Sequence, residues 1–361
     1  MDIPLAKPYI SQSVTELVQK AITGSQLSMG PFLKGFEEKF RQTVKAQYAV
    51  GVSSGTAALH LAIRLLDIGA EDEVITSPYS FIASSNCILF EGATPVFVDI
   101  EEETMGLDPS KVERAITSRT KAIVAVHVYG KSCQIKELRR ICDRYDLFLI
   151  EDCCEALGAK HQGQEVGSYG DIACYGFYPN KHITTGEGGM LTTNQEEFAL
   201  KARSLRNQGR SQNKEVLQYE ELGYNYRLSE VSAAMGLGQM EEWERILDMR
   251  TQVLKWYQQL SSHQFNTSFF NPKVDSPFSM VIRVEKDREA LISHLKEFGV
   301  QSKPYFDPPI HLLHFYKKRF SFRKGDFAIT EKVSSKMLSL PFYTTMTRAE
   351  VAKVCEVLSR Y

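Results

Sequence analysis

The chain has 361 residues, 43% of them hydrophobic and 24% charged, the mixture of an ordinary soluble globular protein with enough apolar material for a large core. At ~150 residues per domain, that length predicts two or three domains. Its 43 basic and 44 acidic residues leave a formal charge of -1, so no field of one sign draws in nucleic acid or an anionic membrane. The first ten residues, "MDIPLAKPYI", lack the apolar core of a signal peptide, and no run approaches the ~20 apolar residues of a membrane span. The expected location is the cytoplasm. Seven cysteines, an odd number with no C-x-x-C pair, argue against a disulfide framework and for buried thiols in a reducing compartment. The vicinal pair Cys153–Cys154 is read the same way, with a redox pair as the lesser alternative.

In chain order, the first strand-like segment is "YAVGVSS" (48–54), followed by the helical "TAALHLAIRLLDIG". The junction "SSGTAAL" (53–59) places a glycine turn, Gly55, and a hydroxyl, Thr56, where helix N–H groups are free. That is a phosphate or anion site, or else a plain helix cap. No G-x-G-x-x-G or Walker lysine accompanies it, which weakens a dinucleotide or P-loop reading. After "EVITS" (73–77) comes Phe81, an aromatic just past a strand that can cover a planar ligand or fill the core. "PVFVDI" (95–100) and "KAIVAVHVYG" (121–130) are further strands, and "IKELRRICDRYD" (135–146) is an amphipathic helix.

"LFLIEDCC" (147–154) ends an apolar strand on Asp152. A carboxylate there needs a partner: a protonated ring nitrogen, or the N–H groups of a following turn. The segment "DIACYGFYPNKHITTGEGGMLTTN" holds one lysine, Lys181, between two strands and beside Gly186, Gly188 and Gly189. A solvated loop lysine is the ordinary reading; an amine held near a ligand is the functional one. Short Val- and Ile-rich strands alternating with helices imply a mostly parallel sheet covered on both faces, with ligands bound beyond the strands' carboxyl ends. A phosphate cradle, an aromatic cover, a carboxylate and a lysine on successive strand ends are the parts that pyridoxal phosphate requires.

From Leu228 to about His263 the pattern predicts one long helical stretch leading into a second unit. That unit has a strand "FSMVIRVE" (278–285), a helix (288–299), the Pro- and aromatic-rich loop "SKPYFDPPIHLLHFYKK" and a terminal helix (347–361), a small α+β arrangement. The expected division is a large cofactor-binding domain over 1–245 and a small domain over 246–361.

These segments in this order resemble the DegT/StrS-type sugar aminotransferases, a branch of the fold-type-I pyridoxal-phosphate enzymes. The resemblance runs from "LSMGPFLKGFEEKF" and "VSSGTAALHLA" through "IEDCCEALGA", "GFYPNKHITTGEGG" and "LGYNYRLSEVSAAMGLGQM" to "LSLPFY". It implies an α/β fold of that type and a role for each matched position. Lys181 is the Schiff-base lysine, Asp152 the partner of the pyridine nitrogen, Phe81 the stacking ring, and Gly55 and Thr56 the phosphate turn. Glu155 lies near the cofactor hydroxyl. Asn225, at the start of the long helical stretch, reaches the phosphate of the neighbouring subunit in a homodimer. His311 and Arg227 are assigned to the nucleotide-sugar substrate, and no metal is expected. Where many members carry a serine that touches the phosphate, this chain has Gly176.

The implied reaction is transamination from L-glutamate to a nucleotide-linked 4-keto-6-deoxy sugar, giving a 4-amino sugar for a surface polysaccharide, glycan or natural product. "SSGTAAL" and "GFYPNK" lean toward members that aminate carbon 4; carbon-3 members more often read "NGTDAL". The alternatives are a carbon-3 aminotransferase, a sugar 3-dehydratase with histidine in place of the lysine (His182 is adjacent), and a non-catalytic sensor on the same fold.

Overall fold

The computed structural model describes residues 2–211, 218–261 and 269–361. Its apolar segments form strands β1 (Tyr48–Val52), β2 (Glu73–Thr76), β3 (Thr94–Phe97), β4 (Thr120–Val126) and β5 (Phe148–Asp152), a short hairpin β6 (Lys160–His161) and β7 (Gln164–Glu165), then β8 (Ile172–Gly176) and β9 (Gly189–Thr193). A seven-stranded sheet has the order β1-β9-β8-β5-β4-β2-β3. β8, β5, β4, β2 and β3 are parallel neighbours, and β9 runs antiparallel to both β8 and β1. The sheet is therefore mostly parallel, as the alternation predicts.

Side chains alternate between the faces of this sheet. Val124, Ile150, Ile172 and Cys174 pack with the helices Gly55–Leu65, Ala83–Phe90 and Glu196–Leu205 on one side. Ile123, Ala125 and Leu149 pack with Ile135–Tyr145 on the other, where Ala173 and Tyr175 meet Pro31–Val44. Both faces are dry, which explains why the strands read as nearly continuous apolar runs.

β10 (Met280–Arg283) and β11 (Met337–Leu340) pair antiparallel in the C-terminal unit, packed with helices Arg288–Glu297 and Arg348–Ser359. One apolar cluster joins this unit to Tyr79, Val126 and Tyr129 of the large sheet's strand ends, and to Ile3, which bridges to Val300.

The long helical stretch is in fact two helices, Glu230–Glu241 and Trp243–Leu260. The helix starts at Glu230, not Leu228, with Ser229 as its N-cap, and the expected end near His263 lies outside the described residues. Glu242 leaves helical geometry at the break and accepts hydrogen bonds from Ser11 Oγ at 2.5 Å, Tyr9 Oη at 3.1 Å and Ser13 Oγ. No local breaker marks this position; a distant contact does. The proline-rich loop likewise contains a short helix, His314–Phe320.

Candidate active site

The site is assembled at the carboxyl ends of the parallel strands. Beyond β1, Ser54 caps the helix Gly55–Leu65, its Oγ accepting from Ala57 N–H at 3.0 Å. Gly55 and Thr56 thus occupy the first turn, where backbone N–H groups lack helical acceptors. The chain is glycine here because there is no room for more. A Cβ on Gly55 would lie 2.9 Å from Cys154 Sγ and 3.0 Å from Gly176 Cα; one on Gly189 would lie 2.3 Å from Ser54 O.

Asp152 ends β5 and is 5% exposed. Its Oδ2 accepts from Ser84 Oγ at 2.7 Å and its Oδ1 from Cys154 N–H at 3.1 Å. Ser84 stands in the first turn of the helix Ala83–Phe90, directly after the loop carrying Phe81, so one bond ties the carboxylate to the helix that ends this loop. The Phe81 ring itself is 63% exposed, an open aromatic face rather than core.

Lys181 sits in the loop that joins the antiparallel neighbours β8 and β9. Gln239 clasps this loop, accepting from Thr184 N–H at 3.1 Å and donating to Thr184 O at 2.5 Å. Lys181 Nζ lies 3.4 Å from Glu155 Oε1 and 4.3 Å from the ring centroid of Phe278, which the C-terminal unit supplies. Glu155 also accepts Tyr129 N–H at 3.0 Å. Burial pushes the Glu155 carboxyl pKa up, while the Lys181 ammonium and the Tyr129 N–H oppose the shift. His182 faces away from this group: its Nε2 is 2.8 Å from Ser276 O, and burial drives its pKa well down.

The structure therefore brings together Gly55, Thr56, Phe81, Asp152, Glu155 and Lys181. The segment of His311 reaches the loop before Phe81, Ile310 N–H donating to Pro78 O at 2.9 Å, but the His311 ring is packed elsewhere. His311 is fully buried, its Nε2 3.1 Å from Glu331 Oε1 and its ring edge-on to Phe327 at 4.7 Å. Here it presents no surface to a substrate. Asn225 is not at a helix start but on an extended stretch ahead of one, exposed and bridged to Asn207. Arg227, on the same stretch, donates to Asn207 Oδ1 at 2.9 Å.

Ser84, Phe278 and Gln239 escape a reading of the sequence. Serine, phenylalanine and glutamine carry no chemical signature, and only the packing puts them against Asp152, Lys181 and the β8–β9 loop. The other strand-end histidine, His127, serves the scaffold: its Nε2 is 3.0 Å from Glu151 Oε2, whose two oxygens also take the N–H groups of Gly167, Tyr169 and Gly170.

A family profile, the DegT/DnrJ/EryC1/StrS aminotransferase family, matches residues 8–359. The chain is 33% identical to GDP-perosamine synthase of Escherichia coli O157:H7, over 99% of this chain and 98% of that one. It is 36% identical to dTDP-3-amino-3,6-dideoxy-alpha-D-galactopyranose transaminase of Aneurinibacillus thermoaerophilus, over 97% and 95%. The crystal structure of S. venezuelae DesV, in complex with a ketimine intermediate, superposes with a TM-score of 0.91 at 30% identity, covering 99% of this chain and 98% of that one. The chain belongs to the DegT/DnrJ/EryC1/StrS aminotransferase family, as a pyridoxal-phosphate-dependent sugar aminotransferase.

Proposed function

We propose that this enzyme moves an amino group from L-glutamate to a nucleotide-linked 4-keto-6-deoxy sugar, yielding a nucleotide-linked 4-amino sugar for a surface polysaccharide or related glycan. The observation that carries the chemistry is the Lys181 amine held against Glu155, at the same strand ends as the buried, doubly bonded Asp152. Nucleotide sugars as the substrate class are supported by the relatives named for GDP- and dTDP-linked sugars. The seven unpaired thiols fit a reducing, cytoplasmic setting.

The residues fit the cofactor. Gly55 and Gly189 leave no room for a Cβ beside the N–H groups of a helix's first turn, and Asn180 Oδ1, next to Lys181, is buried without a partner among the described residues. Pyridoxal phosphate, when bound, supplies an aldehyde that condenses with amines and a ring that takes up the electrons released at the adjacent carbon.

The remaining work falls to the chain. The first turn of Gly55–Leu65, with the Thr56 hydroxyl, holds the phosphate at the positive end of a helix. Phe81 covers one face of the ring. Asp152, oriented by Ser84 and Cys154 N–H, holds the proton on the ring nitrogen. Lys181 would anchor the cofactor through its Nζ, and the same amine, once free, would be placed to carry the substrate's α-proton as base and acid. Glu155 and Phe278 would hold that amine in place whenever it is free of the cofactor. Gly176 offers the phosphate no hydroxyl, and a Cβ there would sit 3.3 Å from Cys154 Sγ. Asn225 supplies a further phosphate contact to the site of the neighbouring subunit in a homodimer, and Arg227 faces the nucleotide sugar beside it.

A carbon-3 aminotransferase is the second reading, favoured by the 36% identical relative named for a 3-amino sugar. The test is a product assay with L-glutamate and a panel of GDP- and dTDP-linked 4-keto and 3-keto sugars, locating the new amine by NMR. An amine at carbon 4 is expected. An amine at carbon 3 overturns the regiochemistry, and no amination of any keto sugar overturns the proposed function.

A further inference from the structure

A second cluster of titratable groups lies outside the Lys181 site, and the chemistry above does not use it. His60 stands on the helix Gly55–Leu65, one turn past Thr56, and is 5% exposed. Its Nδ1 lies 2.9 Å from Tyr226 Oη and its Nε2 2.7 Å from Glu91 Oε1. Glu91 Oε1 also accepts from Tyr224 Oη at 2.6 Å, and Oε2 lies 3.5 Å from Arg64 Nη1. Burial lowers the His60 pKa, which favours the neutral ring that donates through one nitrogen and accepts through the other. The rings of Tyr224 and Tyr226 stack at 5.0 Å with 10° between their planes.

These two tyrosines flank Asn225 on extended chain. Backbone bonds run from Tyr224 N–H to Leu205 O (2.7 Å), from Tyr226 N–H to Arg206 O (2.9 Å) and from Ser53 N–H to Tyr226 O (2.9 Å). In such a segment alternate side chains share a face, so both tyrosines turn inward while Asn225 turns out to solvent and Arg227 faces Asn207. A slip of one residue would exchange the two sets. The inward face is specified by polar partners: the Tyr226 hydroxyl meets His60 Nδ1 and the Tyr224 hydroxyl meets Glu91 Oε1, and a buried imidazole nitrogen or carboxylate oxygen that lost its tyrosine would be left short of a partner, which is costly.

We propose that His60 and Glu91 are positioning residues that fix the outward aim of Asn225. This rests on the reading that Asn225 serves the neighbouring subunit's phosphate. On that reading one helix does two things: its first turn cradles the phosphate of its own site, and four residues later its imidazole holds the strand that reaches into the other site.

The test uses purified mixed dimers, differently tagged, in which only one chain keeps Lys181 and the partner carries Lys181→Ala. The one site with a lysine then borrows Asn225 from the lysine-lacking chain. A second lesion, His60→Leu, is added either to the lysine-lacking chain or to the lysine-bearing chain. Pyridoxal phosphate affinity is titrated by the visible absorbance of the lysine-linked cofactor. Tyr226→Phe repeats the pair with only a hydroxyl removed, which preserves the ring stack, and Asn225→Asp serves as the control. In the lysine-lacking chain His60→Leu should weaken affinity about tenfold, the worth of a hydrogen bond to a charged or polar network. In the lysine-bearing chain it should leave affinity within about twofold of the dimer without the second lesion. Equal effects in both placements, or a larger effect in the lysine-bearing chain, for both His60→Leu and Tyr226→Phe overturn the inference while the Asn225→Asp control still acts across the interface. If the control itself fails to act across the interface, the shared-site reading falls and the inference with it.

Discussion

Lys181 Nζ has two neighbours with different effects. Glu155 attracts the ammonium at 3.4 Å, and the Phe278 ring covers it from 4.3 Å. Both hold the side chain in one fixed position. Lys181→Ala should lower transamination by at least about 10⁴-fold, because nucleophile and proton carrier are lost together. Circular dichroism should stay unchanged, since the side chain holds no strand or helix. Substantial turnover in the purified variant would contradict the assignment. Asp152→Asn keeps the shape and the bond from Ser84 but removes the charge. The half-reaction with L-glutamate, followed by stopped-flow absorbance, should slow about 100-fold or more while cofactor still binds. A rate near the parent's would remove Asp152 from the ring-nitrogen role.

At the scale of elements, two buried glutamates tie distant segments together by capping backbone N–H groups. Glu230, fully buried at the start of Glu230–Glu241, accepts from Gly30 N–H at 2.9 Å, Phe32 N–H at 2.8 Å and Leu33 N–H at 3.0 Å, the orphan donors at the start of Pro31–Val44. Glu151 does the same for Gly167, Tyr169 and Gly170 behind Asp152. Glu230→Ala would strand three buried donors and should cost about 3 kcal/mol in urea unfolding, with Glu230→Gln losing less because one acceptor oxygen remains. A loss below about 0.5 kcal/mol for the alanine variant would show that water replaces the carboxylate. The helix and strand positions themselves were legible, because burial on both sheet faces writes apolar runs and amphipathic periods into the chain. The use of Glu230 by a helix some 200 residues earlier was not, since nothing near either segment encodes the contact. The break at Glu242 escaped for the same reason: Ser11, Ser13 and Tyr9 make it.

For the whole molecule, a shared site requires that neither of two inactive variants be defective at the same point. Lys181→Ala and Asn225→Asp, co-expressed so that subunits mix, should recover activity that neither has alone, because one site in each mixed dimer receives both lesions and the other neither. About a quarter of parent activity is the expected ceiling for random pairing, since half the dimers would carry one good site of two. No activity above the single variants would exclude the shared site. The sequence by itself determined which chemistry-bearing residues stand at successive strand ends: the glycine turn, Phe81, Asp152 and Lys181 follow in order because strand, turn and helix are local patterns. It also determined that the sheet is mostly parallel and covered on both sides. Only the tertiary structure decided what those residues touch. Ser84 orients Asp152, Phe278 covers Lys181, Gln239 pins the β8–β9 loop, His60 holds Tyr226, and His311 is buried against Glu331. Each of these contacts joins segments far apart in the chain. Their geometry comes from how whole helices and sheets pack, a property of the complete core that no single stretch of residues carries.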